Sequence, residues 1–257
     1  VSDYVVIIPA RYGSTRLPGK PLRDIAGRPM IEHVCRRALE SAAARVIVAT
    51  DDERIAEAGR AAGVEVVMTA SSHDTGTDRL AEVAARLALD PDTVVVNLQG
   101  DEPLMPPSLL DRVAAELAAR PGTHIATLSV PLAANEVDDP NVVKVVTARD
   151  GHALYFSRAV VPFPRDSGEL RQTAPGTWQR HLGLYAYRAE LLRRFPVLEP
   201  PAMERLEKLE QLRALWHGYR IAVVAIAEPP PAGVDTLQDL ERVAEWLRRG
   251  DRPGSLK

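Results

Sequence analysis

The chain opens with an unbroken apolar run, Tyr4 to Ile8, closed by Pro9, and such a run reads as a strand buried on both faces. Met30, Ile31, Val34, Cys35, Ala38 and Leu39 recur at helical spacing behind Pro29, a residue suited to a first helical turn. Arg45–Thr50 predicts a second strand, with Asp51 and Asp52 beyond its C-terminal end. Glu53–Ala62 predicts a short helix stopped by Gly63, and Val64–Met68 a third strand. In the polar stretch 69–79, Thr75 or Thr77 can cap a helix whose apolar stripe is Leu80, Val83, Ala84 and Leu87. Thr93–Leu98 is a further buried strand and Pro107–Arg120 a further helix.

Strands alternating with helices predict an α/β fold, a Rossmann-like and mostly parallel sheet flanked by helices, with right-handed crossovers. From about Thr123 the pattern changes. Ile125–Leu132 and Asn141–Thr147 read as strands, Arg149-Asp150-Gly151 as a hairpin turn, and His152–Ser157 as another strand. This antiparallel insertion is followed by a Pro- and Gly-containing loop, 159–177, of lid-like length. Arg180–Tyr187 predicts a strand, then a helix to Phe195. Met203–Trp216 predicts one helix with Leu206, Leu209, Leu212, Leu215 and Trp216 on its buried side. Arg220–Ala227 predicts the last strand, and 237–248 a final helix capped by Asp235 or Thr236. The whole is expected to be one domain, 1–257, in which about 126–218 forms a subdomain.

The 257 residues carry 32 basic and 35 acidic side chains, a balance that gives no reason to expect a nucleic-acid partner. The single cysteine, Cys35, excludes an intrachain disulfide and falls on the apolar side of a predicted helix. No apolar run approaches a membrane span and none resembles a signal peptide, so no membrane association and a cytoplasmic location are expected.

The candidate chemistry lies at strand ends. After the first strand come Arg11, Gly13, Ser14, Thr15, Arg16, Gly19 and Lys20, the composition of a loop that wraps a polyanion. Arginines bind phosphate oxygens as forks and lysine binds them as a point charge. The loop is not a Walker loop, because Pro21 stands where Ser or Thr is needed, and it is not G-x-G-x-x-G. The strand 93–98 runs into Gln99-Gly-Asp-Glu-Pro103, and open parallel sheets bind ligands beyond the carboxyl ends of their strands. Asp101 beside a phosphate loop suits Mg²⁺, an ion that prefers hard oxygen ligands. His73 reads as a polar loop residue, since no second His or Cys lies at ligand spacing.

Pro-Ala-Arg-Tyr-x-Ser-Thr-Arg-Leu-Pro-Gly-Lys-Pro-Leu resembles the N-terminal signature of the sugar-activating nucleotidyltransferases, most closely the family that activates 3-deoxy-manno-octulosonate (Kdo). The match continues through QGDEP, DPNVVKVV, ALYFSRA, RHLGLYAYR, LEKLEQLR and GVDTLQDLERV, almost the whole chain. The second half is the more specific, because the first resembles a broader superfamily. Two features depart from the pattern: Gly13 stands where a slightly larger residue is common, and 167–177 has no clear counterpart.

The resemblance implies transfer of CMP from CTP to Kdo, releasing pyrophosphate, for lipopolysaccharide biosynthesis. It implies CTP contacts from Ala10, Arg11, Gly13, Ser14, Arg16, Lys20, Gly76, Thr77, Arg79, Gln99 and Asp101. Arg11, Arg16, Lys20 and Asp101 are the catalytic candidates. Gln99, Arg158, Arg165, His181, Tyr185, Glu210 and Gln211 are implied to contact Kdo, and Asp101 with Asp235 to hold Mg²⁺. It also implies a homodimer built mainly from about 126–218. The rival readings are a nucleotidyltransferase for a sialic-type acid or a hexose 1-phosphate, and a non-catalytic nucleotide-binding homologue. The second predicts a lost metal carboxylate, whereas Asp101 and Asp235 are both present.

Overall fold

Alternate residues of β1 (Tyr4–Ala10) enter opposite core layers: Tyr4, Val6, Ile8 and Ala10 one layer, Val5 and Ile7 the other. Burial on both faces is why this strand reads as a continuous apolar run. The computed structural model describes residues 3–13, 17–165 and 176–249. β1 pairs in parallel with β4 (Arg45–Thr50) and β6 (Val94–Asn97), and β4 with β5 (Glu65–Met68). A two-stranded hairpin of β2 (Asp24–Ile25) and β3 (Arg28–Pro29) stands apart from this sheet. It turns at Ala26 (φ 51°) and Gly27 (φ 86°), the positive pair of a tight hairpin turn. It delivers the chain into α1 (Met30–Leu39), so Pro29 immediately precedes the helix.

The second half completes the same sheet. It contributes β7 (Ile125–Pro131), β8 (Lys144–Thr147), β9 (Ala153–Ser157), β10 (Gln179–Arg188) and β11 (Ile221–Ala225). The order is β11-β7-β10-β6-β1-β4-β5, with the β8–β9 hairpin branching from β10. β10 runs antiparallel to both β6 and β7, while β11 is parallel to β7. β10 slips register between Leu182 and Tyr185. Its second half lies along β6, and its first half projects past the carboxyl end of β6 to pair with β8.

Helices cover both faces. α1, α2 (Glu53–Ala61) and α4 (Pro107–Ala118) pack on one layer. α3 (Gly76–Arg86), α5 (Ala189–Arg194) and α7 (Gln211–Trp216) pack on the other. A small third cluster of Leu17, Ile25, Met30, Leu104, Val234, Val243 and Ala244 docks α8 (Leu237–Arg248) on the β2–β3 hairpin.

The single helix expected over Met203–Trp216 is two, α6 (Ala202–Glu207) and α7, broken at Lys208 in the left-handed region (φ 53°). Leu206 and Trp216, expected to be buried, are 84 % and 63 % exposed. Leucines every three residues drift round a helix of 3.6 residues per turn, so they cannot share one face of an unbroken helix. Only the leucines beyond the break reach the core. Asn141 to Val143 precede β8 instead of belonging to it. Both caps are threonines: Thr75 and Thr236 each form a reciprocal capping box, with Asp78 and Asp239. Asp235 is therefore not the helix cap. The lid-like segment lies in part outside the described residues.

Lys144 is fully buried, and its ammonium donates to the carbonyl oxygens of Asp139, Val142 and Arg158, each at 2.8 Å. It ties the turn before β8 to the end of β9. Lys144→Met would leave three carbonyls without that donor, at a cost of roughly 3 kcal/mol or more. The expected result is a melting temperature lowered by about 6 °C or more, measured by scanning calorimetry.

Candidate active site

Three strand ends converge at one place. β1 ends at Ala10, the Gln99–Pro103 turn follows β6, and the segment after β11 returns toward α8. Two glycines permit the approach. A Cβ on Gly100 would lie 2.9 Å from the Pro9 carbonyl oxygen, and one on Gly233 would lie 2.9 Å from the Asp101 carbonyl oxygen. The Val234 amide donates to that Asp101 oxygen at 2.9 Å, which sets Asp235 beside Asp101. Lys20, at the start of a single 3-10 turn, closes the group. Its ammonium donates to Asp101 Oδ2 at 2.7 Å and to Asp235 Oδ1 at 3.0 Å.

Burial works against the Lys20 charge, and the bonds to Asp101 and Asp235 outweigh it, so its pKa is raised. Glu102 lies in the same group. Burial, then the charges of Asp101 and Asp235, push its carboxyl up to about 8 against a partial relief from Lys20.

The convergence borders a cleft of about 410 Å³ lined by Ala10, Arg11, Gly13, Lys20, Gly76, Arg79, Gln99, Asp101 and Asp235 among others. Nine residues singled out in the sequence therefore share one wall. Ser14 and Arg16 lie outside the described residues. Thr77 is buried beneath the wall and donates its hydroxyl to Glu210 Oε2 at 2.6 Å. Arg79 lines the cleft but spends its guanidinium on the Thr69 hydroxyl and, at 3.2 Å, on Asp51 Oδ2. It braces the ends of β4 and β5 against α3.

The residues proposed for the sugar acid divide. His181 and Tyr185 meet on β10, ring centroids 5.3 Å apart, with Phe156 edge-on to His181 at 5.0 Å. His181 Nε2 lies 3.0 Å from the Thr127 hydroxyl, whose one proton serves the carbonyls of Leu182 and Leu184. The imidazole must then donate from Nε2, which leaves Nδ1 an acceptor. Burial pushes its pKa down to about 3, so it is neutral near pH 7. Tyr185 is raised well above its ordinary value by burial, then by Tyr187 and Glu210.

Glu210, raised by burial, has one oxygen bonded by Thr77 and the other buried without a partner. Gln211 follows it and is buried. Gln99 lines both the first cleft and a second of about 350 Å³ behind it, bordered also by Glu102 and His181. Arg158 is committed elsewhere: its side chain donates to the carbonyls of Glu207 at 2.7 Å and Pro140 at 2.9 Å. Arg165 is exposed at the edge of the described residues.

Residues 5–221 match the model of the cytidylyltransferase family. This chain belongs to the cytidylyltransferase family. A 3-deoxy-manno-octulosonate cytidylyltransferase of Halorhodospira halophila is 59 % identical over 249 residues, 95 % of this chain and 97 % of that one. One from Alkalilimnicola ehrlichii is 57 % identical, covering 98 % and 99 % of the two chains. A solved CMP:2-keto-3-deoxy-manno-octonic acid synthetase in complex with CTP is 41 % identical, with a TM-score of 0.89 over 97 % of this chain and all of that one. A cytidylyltransferase of Leptospira borgpetersenii, 16 % identical with a TM-score of 0.61, shares the fold. The mixed, mostly parallel sheet is thus the family's architecture.

The resemblance implies a metal ion at Asp101 and Asp235. Among the described residues no cluster of three or more His, Cys, Asp or Glu could hold an ion. Two carboxylates bridged by one ammonium are nevertheless hard oxygen donors within reach of each other. Mg²⁺ is commonly held by one or two carboxylates and completed by substrate phosphates, so the pair fits. His73 instead bonds Glu82 at 2.5 Å.

Sequence reasoning did not assign Glu102, although it is the second acid of the turn that carries Asp101. Nor did it foresee Asp51 as the brace of Arg79, although Asp51 stands at a strand end.

A raised carboxyl pKa has a definite consequence for stability. Between its ordinary value and about 8 the native state keeps a proton on Glu102 that the unfolded chain has released. Stability therefore falls as pH rises through that window. Urea melts in chelator at pH 5 and pH 8 are expected to show this fall in the wild type, and Glu102→Gln to lose most of it. An unchanged slope in the variant would refute the assignment.

Proposed function

We propose that this chain transfers CMP from CTP to the 2-hydroxyl of 3-deoxy-manno-octulosonate, releasing pyrophosphate. The observation that carries the reading is the cleft at the strand ends, where Arg11 and Lys20 stand with two carboxylates. Arg11 and Lys20 neutralise the triphosphate, and Arg16 belongs to the same loop. Gln99, between the two clefts, orients the reacting groups. His181 is neutral and its Nε2 proton is held by Thr127, so Nδ1 is left to accept a hydroxyl of the sugar acid without adding charge. Asp101 and Asp235 hold Mg²⁺, which when bound screens the repulsion between two anionic substrates and polarises the α-phosphate. Lys20 must then exchange its carboxylate partners for phosphate oxygens, where charge redistributes as pyrophosphate leaves. With CTP as substrate, the activity is placed in the cytoplasm. Among the described residues no helix is long and apolar enough to cross a membrane.

Pyrophosphate release measured with each nucleoside triphosphate, with and without Kdo, tests the reading. Turnover is expected with CTP only when Kdo is present. Equal turnover with UTP would count against the cytosine preference.

Asp235→Asn separates metal from fold, because Thr236 and not Asp235 caps α8. Its melting temperature should stay near wild type, while turnover should fall by roughly a hundredfold or more, equivalent to about 3 kcal/mol in the barrier. Near-normal Mg²⁺-dependent turnover would remove Asp235 from the site.

We also infer a homodimer formed mainly through about 126–218. Among the described residues, five of the eight exposed large apolar side chains fall there: Leu154, Phe163, Val197, Leu206 and Trp216. Exposed apolar surface concentrated in this way marks interaction sites, and two-fold dimers are the commonest closed assembly. Light scattering at micromolar concentration should return twice the chain mass; a monomer would refute the dimer.

A further inference from the structure

The described ends of the phosphate loop are held by a side chain that does not enter the cleft. Tyr12 lies between Arg11 and Gly13, which line the cleft, and is itself 38 % exposed. The Arg54 guanidinium carbon lies 3.6 Å from its ring centroid. Arg54 is itself oriented, because Asp52 accepts from its Nε at 3.0 Å and from its terminal nitrogen at 2.6 Å. Asp52 also caps α2 through the Arg54 amide at 3.0 Å, so the whole assembly is anchored to a helix start.

The Tyr12 ring also touches the far end of the loop. A Cβ on Gly19 would lie 3.2 Å from Tyr12 Cε2 and from its hydroxyl oxygen, and Gly19 has φ 66°. The Gly19 amide donates to the Tyr12 carbonyl oxygen at 3.3 Å. Lys20 follows Gly19 directly. The tyrosine ring thus sits against both Arg54 and the residue that carries Lys20 into the site.

We propose that Tyr12 is a positioning residue for the nucleotide, latched on Arg54, that holds Arg11 and Lys20 in register for the triphosphate. It rests on the reading of the cleft as the CTP site. The ring face carries the main contact of the latch, and the hydroxyl adds a weaker one to Arg54. Because the latch preorganises binding, its loss raises KM for CTP and leaves kcat nearly unchanged, the pattern of uniform binding loss.

The test is a double-mutant cycle on the full chain, with KM and kcat for CTP and for Kdo and the melting temperature of each variant. Tyr12→Leu and Arg54→Gln should each raise KM for CTP roughly fivefold, the scale of an exposed cation–π contact. Tyr12→Phe, which keeps the ring, should raise KM for CTP by less than about twofold. The double variant should be no worse than either single one, because both remove the same contact. KM for Kdo and the melting temperature should stay near wild type. Should Tyr12→Leu fail to fold, Arg54→Gln, at an exposed helix position, carries the test with Tyr12→Phe.

Single effects that multiply, a Tyr12→Phe as impaired as Tyr12→Leu, or variants indistinguishable from wild type would each overturn the latch. A wild-type chain that neither binds nor turns over CTP would instead overturn the functional reading on which the latch rests.

Discussion

The site depends on one cation placed between two anions. Asp101 leaves the sheet after β6 and Asp235 arrives after β11, 134 positions later in the chain by the difference of their numbers. Two carboxylates brought so close repel. The Lys20 ammonium bridges them at 2.7 and 3.0 Å. It joins the loop after β1, the β6 turn and the segment before α8 into one wall. The same arrangement keeps the two carboxylates adjacent, as shared coordination of a divalent ion would require. Glu102, the third acid of the group, has no comparable bond and holds its proton instead. One lysine can compensate two acids at close range, and the remaining acid yields to burial.

How much of this was legible in the sequence follows from what kind of interaction each feature rests on. β1, β4 and β6 announce themselves because strands buried on both faces are apolar throughout. The positions of the loop and of Asp101 at strand ends were legible because they are local chemistry, while each cap was narrowed only to a pair, Thr75 or Thr77 and Asp235 or Thr236. The central position of β10 was not. Gln179–Arg188 alternates and pairs like any half-buried strand, and nothing local says that its neighbours are β6 and β7. The break at Lys208 was missed because a run of leucines at intervals of three was read as one stripe. Arg79 and Arg158 look like free cations in sequence, yet each spends its guanidinium on acceptors within the fold. A spacing cannot reveal where a long side chain ends.

The antiparallel course of β10 has a further effect. A strand parallel to β6 would end with it, at the rim of the cleft. Because β10 enters from the opposite direction and slips register at Leu182–Tyr185, its first half extends past the end of β6. His181 is thereby carried above the sheet edge while still fixed by the Thr127 hydroxyl of β7. Register slips at such places re-aim side chains without loosening the strand.

The link between the cleft and the second half of the chain is then short. Gly76 lines the first cleft, and its neighbour Thr77 donates to Glu210 Oε2 at 2.6 Å. Thr75 fixes the first turn of α3 through its capping box, so Glu210 cannot shift without disturbing the cap. One oxygen of Glu210 nevertheless remains buried and unbonded. An unsatisfied buried oxygen costs about 1–3 kcal/mol, and folds rarely keep one without a use. Glu210 lines neither cleft, so what its buried carboxyl fixes is the first turn of α3 and, through Gly76, the wall of the first cleft.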